Sequence, residues 1–435
     1  MGTEATVATI FKPLLRSALG PKPTVRFVFW DGSTLGPLDG YRGTIRVRSK
    51  DALGHMVWAP GELGLVRAFV SGELSFDGDI FDVLRGLQQT APNDARLGLE
   101  AARQAVAAAG RMGVLTHRPT PPPEEARQHG RLHSKRRDSK AISHHYDVSN
   151  EFYQLVLGPS MTYSCARFVA PGDTGRAPAN PAVTLEDAQA AKHDLICRKL
   201  GLDARPGMRL LDVGCGWGSM AIHAATRYDA KVVGVTISSA QAELARKRVA
   251  EADVQDRVEI RLQDYRDLRG EKFDAISSVG MFEHVGSEKT AEYFETLYSL
   301  LPAHGRLLNH AISSRGGSRI SRRSFIGRYV FPDGELLDVG DVALAMERAG
   351  FEVRDVEALR EHYALTLRQW VANLEADWDR AVELVGEGRA RIWRLYMAGS
   401  ALGFEDGGIG IHQVLGLVPD AAGTAAAPGN RRDWV

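Results

Sequence analysis

Apolar runs and amphipathic stretches alternate along most of this chain, and between Ala141 and Val418 they do so in a regular order. An apolar run over Met208–Val213 leads through glycines into an amphipathic stretch over Ser219–Tyr228. The order then repeats with apolar Lys231–Val235 and amphipathic Ser239–Ala252, followed by apolar Val258–Leu262 and Phe273–Val279. Short apolar runs alternating with helical stretches of about 10–14 residues predict an α/β fold with a doubly wound parallel sheet, because parallel neighbours need helical crossovers. Thr184 and Asp187 stand at capping-box spacing ahead of a helical run to Leu200.

Upstream the pattern is different. A strand-like run over Val25–Trp30, a turn at Asp31-Gly32 and a helical stretch over Ala59–Phe69, with Pro60 set for its first turn, predict a small α+β domain. The chain thus divides into an N-terminal domain (1–115), a linker rich in proline and basic residues (116–140), a large α/β domain (141–418) and an Ala/Gly-rich flexible tail (419–435).

Composition narrows the function classes. Hydrophobic residues at 44% and charged residues at 25% are the balance of a packed globular chain, not of a disordered one. Lys+Arg and Asp+Glu number 54 each, so no overall field favours nucleic acid, and none is expected as a partner. The basic run Arg131–Lys140 reads equally as a contact with an anionic bilayer or as a solvated linker. Three cysteines, Cys165, Cys197 and Cys215, are too few and too scattered for a disulfide framework or a metal knuckle; no metal is expected, and a reducing cytosol is. No window approaches the ~18 apolar residues of a membrane span, so any membrane is met from its surface.

The chemistry concentrates after the first apolar run of the large domain. Asp212-Val213-Gly214-Cys215-Gly216-Trp217-Gly218 joins strand to helix, where glycines permit a tight turn and the helix offers free N–H groups. The spacing is G-x-G-x-G, not the G-x-G-x-x-G of pyrophosphate-binding folds, and an acidic residue precedes it. That suits S-adenosylmethionine, whose ammonium a carboxylate can hold. Where a ribose-binding acid is usual the chain has Thr236-Ile237-Ser238, leaving Gln241 as the nearest amide, and Gln263-Asp264-Tyr265 offers a carboxylate and a ring for adenine.

Longer motifs add a resemblance. His145-Tyr146-Asp147-Val148-Ser149-Asn150, Met161-Thr162-Tyr163-Ser164-Cys165-Ala166, the glycine loop, Gly234–Ser238, Gln263–Asp267 and Val279-Gly280-Met281-Phe282-Glu283-His284-Val285-Gly286 resemble the cyclopropane-fatty-acyl-phospholipid synthases and mycolic-acid methyltransferases. The likeness runs from about Ser143 to Leu417; the N-terminal segment is similar to the small lipid-handling domain of the bacterial synthases, and its Asp31-Gly32 turn to that of longer actinobacterial members. The resemblance implies a class I methyltransferase sheet with helical lipid-facing insertions. It also implies that Tyr146, Tyr163, Ser164 and Trp217 join Asp212, Gly214, Gly216, Gly218, Thr236, Ile237, Gln241, Gln263, Asp264 and Tyr265 around the cofactor.

In such enzymes an alkene carbon takes the sulfonium methyl, and a bound bicarbonate removes a proton from the resulting cation. Carried over by residue, the bicarbonate cage is Cys165, Glu283, His310, the backbone of Ile312, and Tyr363. His310 and the Tyr363 hydroxyl can donate to a buried oxyanion. Glu283 either orients His310 or is itself protonated. Tyr163, Phe282, Tyr329 and Phe331 are rings that could face the cation. Taken singly, His310 reads as a structural histidine, Tyr363 as a core tyrosine and Cys165 as a small buried hydrophobe; the joint pattern is what carries the role. One departure stands out: Ser400 occupies the place of a cysteine in the C-terminal helix of bacterial synthases, so no covalent cysteine chemistry is expected there.

The implied activity is methyl transfer to a cis double bond in phospholipid acyl chains, giving a cyclopropane or, alternatively, a methylene branch. The implied location is cytoplasmic, peripheral to the inner face of the membrane. Many relatives are dimers, although this sequence carries no interface signature, and a downstream reductase would be a partner if the product is a methylene branch. A soluble N-methyltransferase of the coclaurine type shares the core but needs neither a lipid-type domain nor the cage. A lipid-binding protein with a relic fold would not keep the loop and cage intact.

Overall fold

The computed structural model describes residues 6–19, 23–90, 99–116, 118–126, 149–170, 178–321, 324–331, 334–427 and 431. Packing divides the chain into two compact units: one takes in Met1–Arg127, Ser321–Val330 and Asp379–Leu402, the other Gln128–Ile320, Phe331–Trp378 and Gly403–Val435.

The first unit contains α1 (Val7–Leu19), β1 (Arg26–Phe29), β2 (Thr34–Leu35), β3 (Thr44–Val47), α2 (Asp51–Trp58), α3 (Glu62–Val70), β4 (Leu74–Asp77), α4 (Ile80–Thr90) and α5 (Leu99–Arg111). Its sheet runs β2-β1-β3-β4, with β1 and β3 parallel. Phe27 and Phe29 alternate inward on β1 and meet Phe11, Ile45, Val47 and Phe69 in one core, the pattern of a sheet with one packed face. The expected helix over Ala59–Phe69 begins later, at Glu62. Gly61, at φ +94°, turns the chain between α2 and α3, and Pro60 sits in that turn, not in a first helical turn.

Residues 118–126, read from sequence as the start of a linker, are tied to this unit. Arg67 donates twice to Glu125 at 2.7 and 2.8 Å, the Tyr329 hydroxyl lies 3.2 Å from the same carboxylate, and Ala126 N donates to Arg328 O at 2.8 Å. A proline-rich, charged run has no apolar period, but a buried ion pair holds it. The rest of the expected linker, 127–140, lies outside the described residues.

The second unit carries the predicted α/β order. After α6 (Asn150–Leu157) and α7 (Leu185–Lys199) come β5 (Arg209–Val213), α8 (Ser219–Tyr228), β6 (Lys231–Thr236), α9 (Ser239–Glu251), β7 (Val258–Leu262) and β8 (Ala275–Val279). Then follow α10 (Thr290–Ser299), β9 (Arg306–Ser313), a ribbon of β10 (Ser318–Arg319) and β11 (Glu335–Leu336), α11 (Val339–Arg348), β12 (Glu352–Ala358) and α12 (Arg360–Ala376); most of α13 (Trp378–Val385) and α14 (Glu387–Glu405) falls in the first unit, and β13 (Gly410–Leu417) returns to the second. Thr184 caps α7 through the Asp187 N–H at 3.2 Å, as its spacing predicts.

The seven-stranded sheet is ordered β12-β13-β9-β8-β5-β6-β7; the five strands from β9 to β7 are parallel, and β13 pairs antiparallel with both β9 and β12. Both faces are covered: Leu210 packs with Met220, Ala242 and Val258 on one side, while Leu211 and Val213 pack with Ile276, Phe294 and Leu307 on the other. That is why β5 reads as a continuous apolar run and not as an alternating one. The tail is less loose than its composition suggests. Ala425 is buried in the core, and Arg431 pairs with Glu357 at 2.6 Å beside the fully buried Lys199.

Candidate functional site

β5 carries Asp212 as its penultimate residue, and the chain then turns through Gly214 (φ +74°), Gly216 (φ +54°) and Gly218 (φ +81°) before α8. These left-handed conformations explain the glycines. A Cβ on Gly214 would lie 2.9 Å from Met281 Cγ, whereas one on Gly216, which lines the cavity, would meet nothing within 4 Å. Asp212 accepts from the Ser277 hydroxyl at 2.7 Å through Oδ1, while Oδ2 is buried with no hydrogen-bond partner among the described residues. Burial raises its carboxyl to about 6. A buried acceptor of this kind is expensive unless a donor arrives, and a ligand ammonium is such a donor.

The other walls of this cavity come from the carboxyl ends of the parallel strands. Thr236 ends β6 and Ile237 and Gln241 follow it, Gln263, Asp264 and Tyr265 follow β7, and Tyr163 and Ser164 close it from the segment after α6. The Thr236 hydroxyl and Gln241 Oε1 lie 2.9 Å apart. Asp264 is engaged by Arg266, at 2.9 and 2.7 Å, so its carboxylate is not a bare acceptor. Of the residues the sequence assigns to the cofactor, Trp217 also lines the cavity. Gly218 does not, and caps α8 instead, and Tyr146 lies outside the described residues.

Two residues shape this cavity without any sequence signal. Lys192, on α7, is 1% exposed, lines the cavity and donates to the Ser164 hydroxyl at 3.0 Å; burial lowers its ammonium to about 7. Arg248, on α9, donates to Trp217 O at 2.6 Å, the Ser219 hydroxyl at 3.0 Å and Ser160 O at 2.9 Å. It thereby pins the glycine loop to the segment that carries Tyr163 and Ser164. A lysine inside an amphipathic helix reads as a solvated charge until tertiary packing buries it.

The five cage positions do not line this cavity; they stand beside its wall residues. Glu283 precedes His284 of the wall, and its Oε1 accepts from the Ile312 backbone N–H at 2.7 Å. Burial raises this carboxyl to about 7. His310 is fully buried and its Nδ1 lies 3.2 Å from the Gln413 amide; burial drives its ionisation well below the usual imidazole range. Glu283 Oε2 and His310 Nε2 have no partner among the described residues. The described contact to the His310 ring comes from Gln413 and not from Glu283, whose carboxyl burial shifts towards protonation. The Ile312 N–H, expected to face an anion, is engaged by Glu283.

Cys165 is fully buried with its Sγ 3.6 Å from Leu359 O, and burial pushes its thiol far above the ordinary range, so it is no thiolate nucleophile. Leu359 O also receives the Tyr363 N–H at 3.1 Å, which sets Tyr363 in the first turn of α12 next to Cys165. The Tyr363 ring packs 4.7 Å from Phe404 and 6.1 Å from Trp370, and Trp370 lies 5.3 Å from Tyr163 of the cavity wall. Phe282, expected to face a cation, instead packs against Tyr293 and Phe294 in the core, at 5.4 Å from each. Tyr329 belongs to the first unit, held by Glu125. Phe331 stands edge-on to His284 at 5.9 Å.

The glycine cradle, the orphaned Asp212 oxygen and the strand-end walls fit S-adenosylmethionine. Comparisons with known proteins point the same way. The profile of the mycolic acid cyclopropane synthetase family matches residues 133–414. The chain is 42% identical to a probable fatty acid methyltransferase of Mycobacterium tuberculosis, over 96% of each chain. It is 38% identical to the cyclopropane-fatty-acyl-phospholipid synthase of Escherichia coli K12, over 65% of this chain and 69% of that one. The crystal structure of a mycolic acid cyclopropane synthase in complex with S-adenosylhomocysteine matches 64% of this chain and 97% of its own, at 35% identity and a TM-score of 0.58.

Proposed function

This chain belongs to the mycolic acid cyclopropane synthetase family and is an S-adenosylmethionine-dependent methyltransferase acting on lipid, and from that premise we propose that it adds a carbon to the cis double bond of an unsaturated acyl chain in a phospholipid, closing a cyclopropane. The observation that carries this reading is the pair of unpartnered, buried polar atoms Glu283 Oε2 and His310 Nε2 beside the cofactor cavity. Such atoms cost free energy unless a ligand satisfies them. A small oxyanion such as bicarbonate fits two donors, one from neutral His310 and one from protonated Glu283.

The cofactor, when bound, supplies an electrophilic methyl group. The protein's own residues do the rest. Asp212 offers its free oxygen to an ammonium, Lys192 and Arg248 hold the walls, and the Tyr163–Trp370–Tyr363 row keeps water away from the reacting carbons. Cys165, His310, Ile312, Tyr363 and Glu283 would surround the base. The acyl chain loses a proton to it, from the new methyl for a cyclopropane.

A second reading has its own support. The relative that matches this chain over 96% of its length is named a probable fatty acid methyltransferase. A 1,2-hydride shift that moves the cation onto the methyl-bearing carbon, followed by loss of a proton from that methyl, would leave a methylene branch, the substrate for a reductase. Phospholipid as the carrier rests on the Escherichia coli relative's name. Among the described residues no helix is long and apolar enough to cross a membrane; we take the lipid to be met at a bilayer surface, with the N-terminal segment handling it.

Mass spectrometry of lipids from a host expressing the protein, fed methyl-deuterated methionine, tests both readings. A gain of one carbon with two deuterons supports either product, and ozonolysis, which cleaves an exocyclic methylene and spares a cyclopropane, then separates the branch from the ring. No gain in any lipid would overturn the reading altogether.

A further inference from the structure

His310 and Gln413 lie 103 positions apart, yet they are register partners across the antiparallel β9–β13 pair. Cross-strand partners share one face of a sheet. Both side chains are fully buried, and the Gln413 amide nitrogen stands 3.2 Å from His310 Nδ1. The other ring nitrogen, Nε2, and the other amide atom, Gln413 Oε1, find no partner among the described residues. Burial and the nearby Lys192, Lys199 and His412 keep the ring neutral.

A neutral imidazole has one proton, and the partner of one nitrogen decides which nitrogen carries it. An amide N–H facing Nδ1 can only donate to a lone pair there, so the proton sits on Nε2. That nitrogen is the unpartnered one, and an N–H is what an oxyanion requires. The opposite tautomer would present a lone pair to an anion, and repel it.

We propose that Gln413 is a positioning residue that fixes His310 as its Nε2–H tautomer, so that the ring presents a proton donor to the anion beside Glu283. This rests on the reading of the site given above, but the tautomer itself can be measured without any anion or turnover. Gln413 is not a catalytic residue, since among the described residues its side chain reaches the site through His310.

The test is long-range ¹⁵N NMR of the full-length protein labelled at histidine, with His310 assigned by the signal lost in His310→Gln. The proposal expects Nδ1 to show the shift of a proton-free nitrogen and Nε2 that of a proton-bearing one, with or without added bicarbonate. In Gln413→Glu the carboxylate accepts a proton from the ring, so Nδ1 becomes proton-bearing. Turnover should then fall by about 10²-fold or more, with KM for S-adenosylmethionine changing less than twofold. Gln413→Met, which matches the side chain in length, should bring the two ring shifts closer together. A proton-bearing Nδ1 in the wild-type protein overturns the proposal even if neither variant folds. So does an Nδ1 shift unchanged in both variants. If the tautomer follows Gln413 while wild-type turnover ignores bicarbonate, the positioning role stands and the identity of the anion falls.

Discussion

The Glu283 carboxylate accepts the Ile312 backbone N–H at 2.7 Å, and this one bond joins the short turn after β8 to the end of β9. It satisfies one oxygen of a buried acid, and the other has no partner among the described residues. Because burial raises the carboxyl to about 7, the acid is a donor below neutrality and an acceptor above it. Turnover should therefore decline as pH rises through about 7. Glu283→Gln keeps an N–H donor without titrating, so its rate, lower at pH 6, should be flat across that range. Stability carries the same signature. A carboxyl with its folded pKa raised from 4.5 destabilises the fold progressively as pH rises from 4.5 through about 7. Glu283→Gln should gain in Tm over wild type at pH 8 and lose that gain at pH 4.5.

Lys192 gives a prediction of opposite sign. Its pKa falls on folding from 10.5 to about 7, so burial costs nothing above 10.5 and its full amount below 7. Lys192→Met should raise Tm at pH 6 and converge with wild type near pH 10.5. Because it also removes the donor to Ser164, it should weaken S-adenosylmethionine binding about tenfold by calorimetry. Unchanged affinity would leave Lys192 a packing residue only.

The glycine loop separates packing from ligand space. Gly214→Val collides with Met281, at 2.9 Å for its Cβ alone, and forces a branched side chain to φ +74°, so it should lower both Tm and cofactor affinity. At Gly216 a Cβ meets no protein atom within 4 Å, so Gly216→Val should cost affinity more than 10²-fold for less loss of Tm. Calorimetric binding beside thermal melts distinguishes the two.

Tyr363→Phe removes a hydroxyl and keeps the ring against Phe404 and Trp370. Turnover should drop by about 10²–10⁴ with cofactor affinity and Tm unchanged. Stripping bicarbonate from the buffer should slow the wild type, and restoring it should recover the rate. Full activity of Tyr363→Phe in bicarbonate-free buffer would make a side chain the base.

Glu125→Ala should be the most destabilising of these changes for the first unit. It leaves Arg67, a side chain 10% exposed, without its counter-ion, a loss of about 3–5 kcal/mol. Limited proteolysis should then cut within 118–126, where the wild type resists.

What the sequence determined by itself is what depends on local order. The helix Ser219–Tyr228 and the strand Val258–Leu262 are where apolar periodicity puts them, and Thr184 caps its helix as its spacing requires. The glycines of the loop are legible because each sits at a φ that other residues avoid. Tertiary structure decided everything that depends on partners far along the chain. Pro60 fell outside its helix because Gly61 turns the chain first, and the start of the supposed linker became ordered because Arg67 supplies Glu125 with a buried counter-ion. Gln413 and Lys192 are ordinary residues on an ordinary strand and helix until β13 pairs with β9 and α7 packs against the cavity. Hydrophobic periodicity is a property of neighbours a few positions apart, whereas the partner of a buried polar atom is set by strand register and by which faces meet. Neither has a local signal.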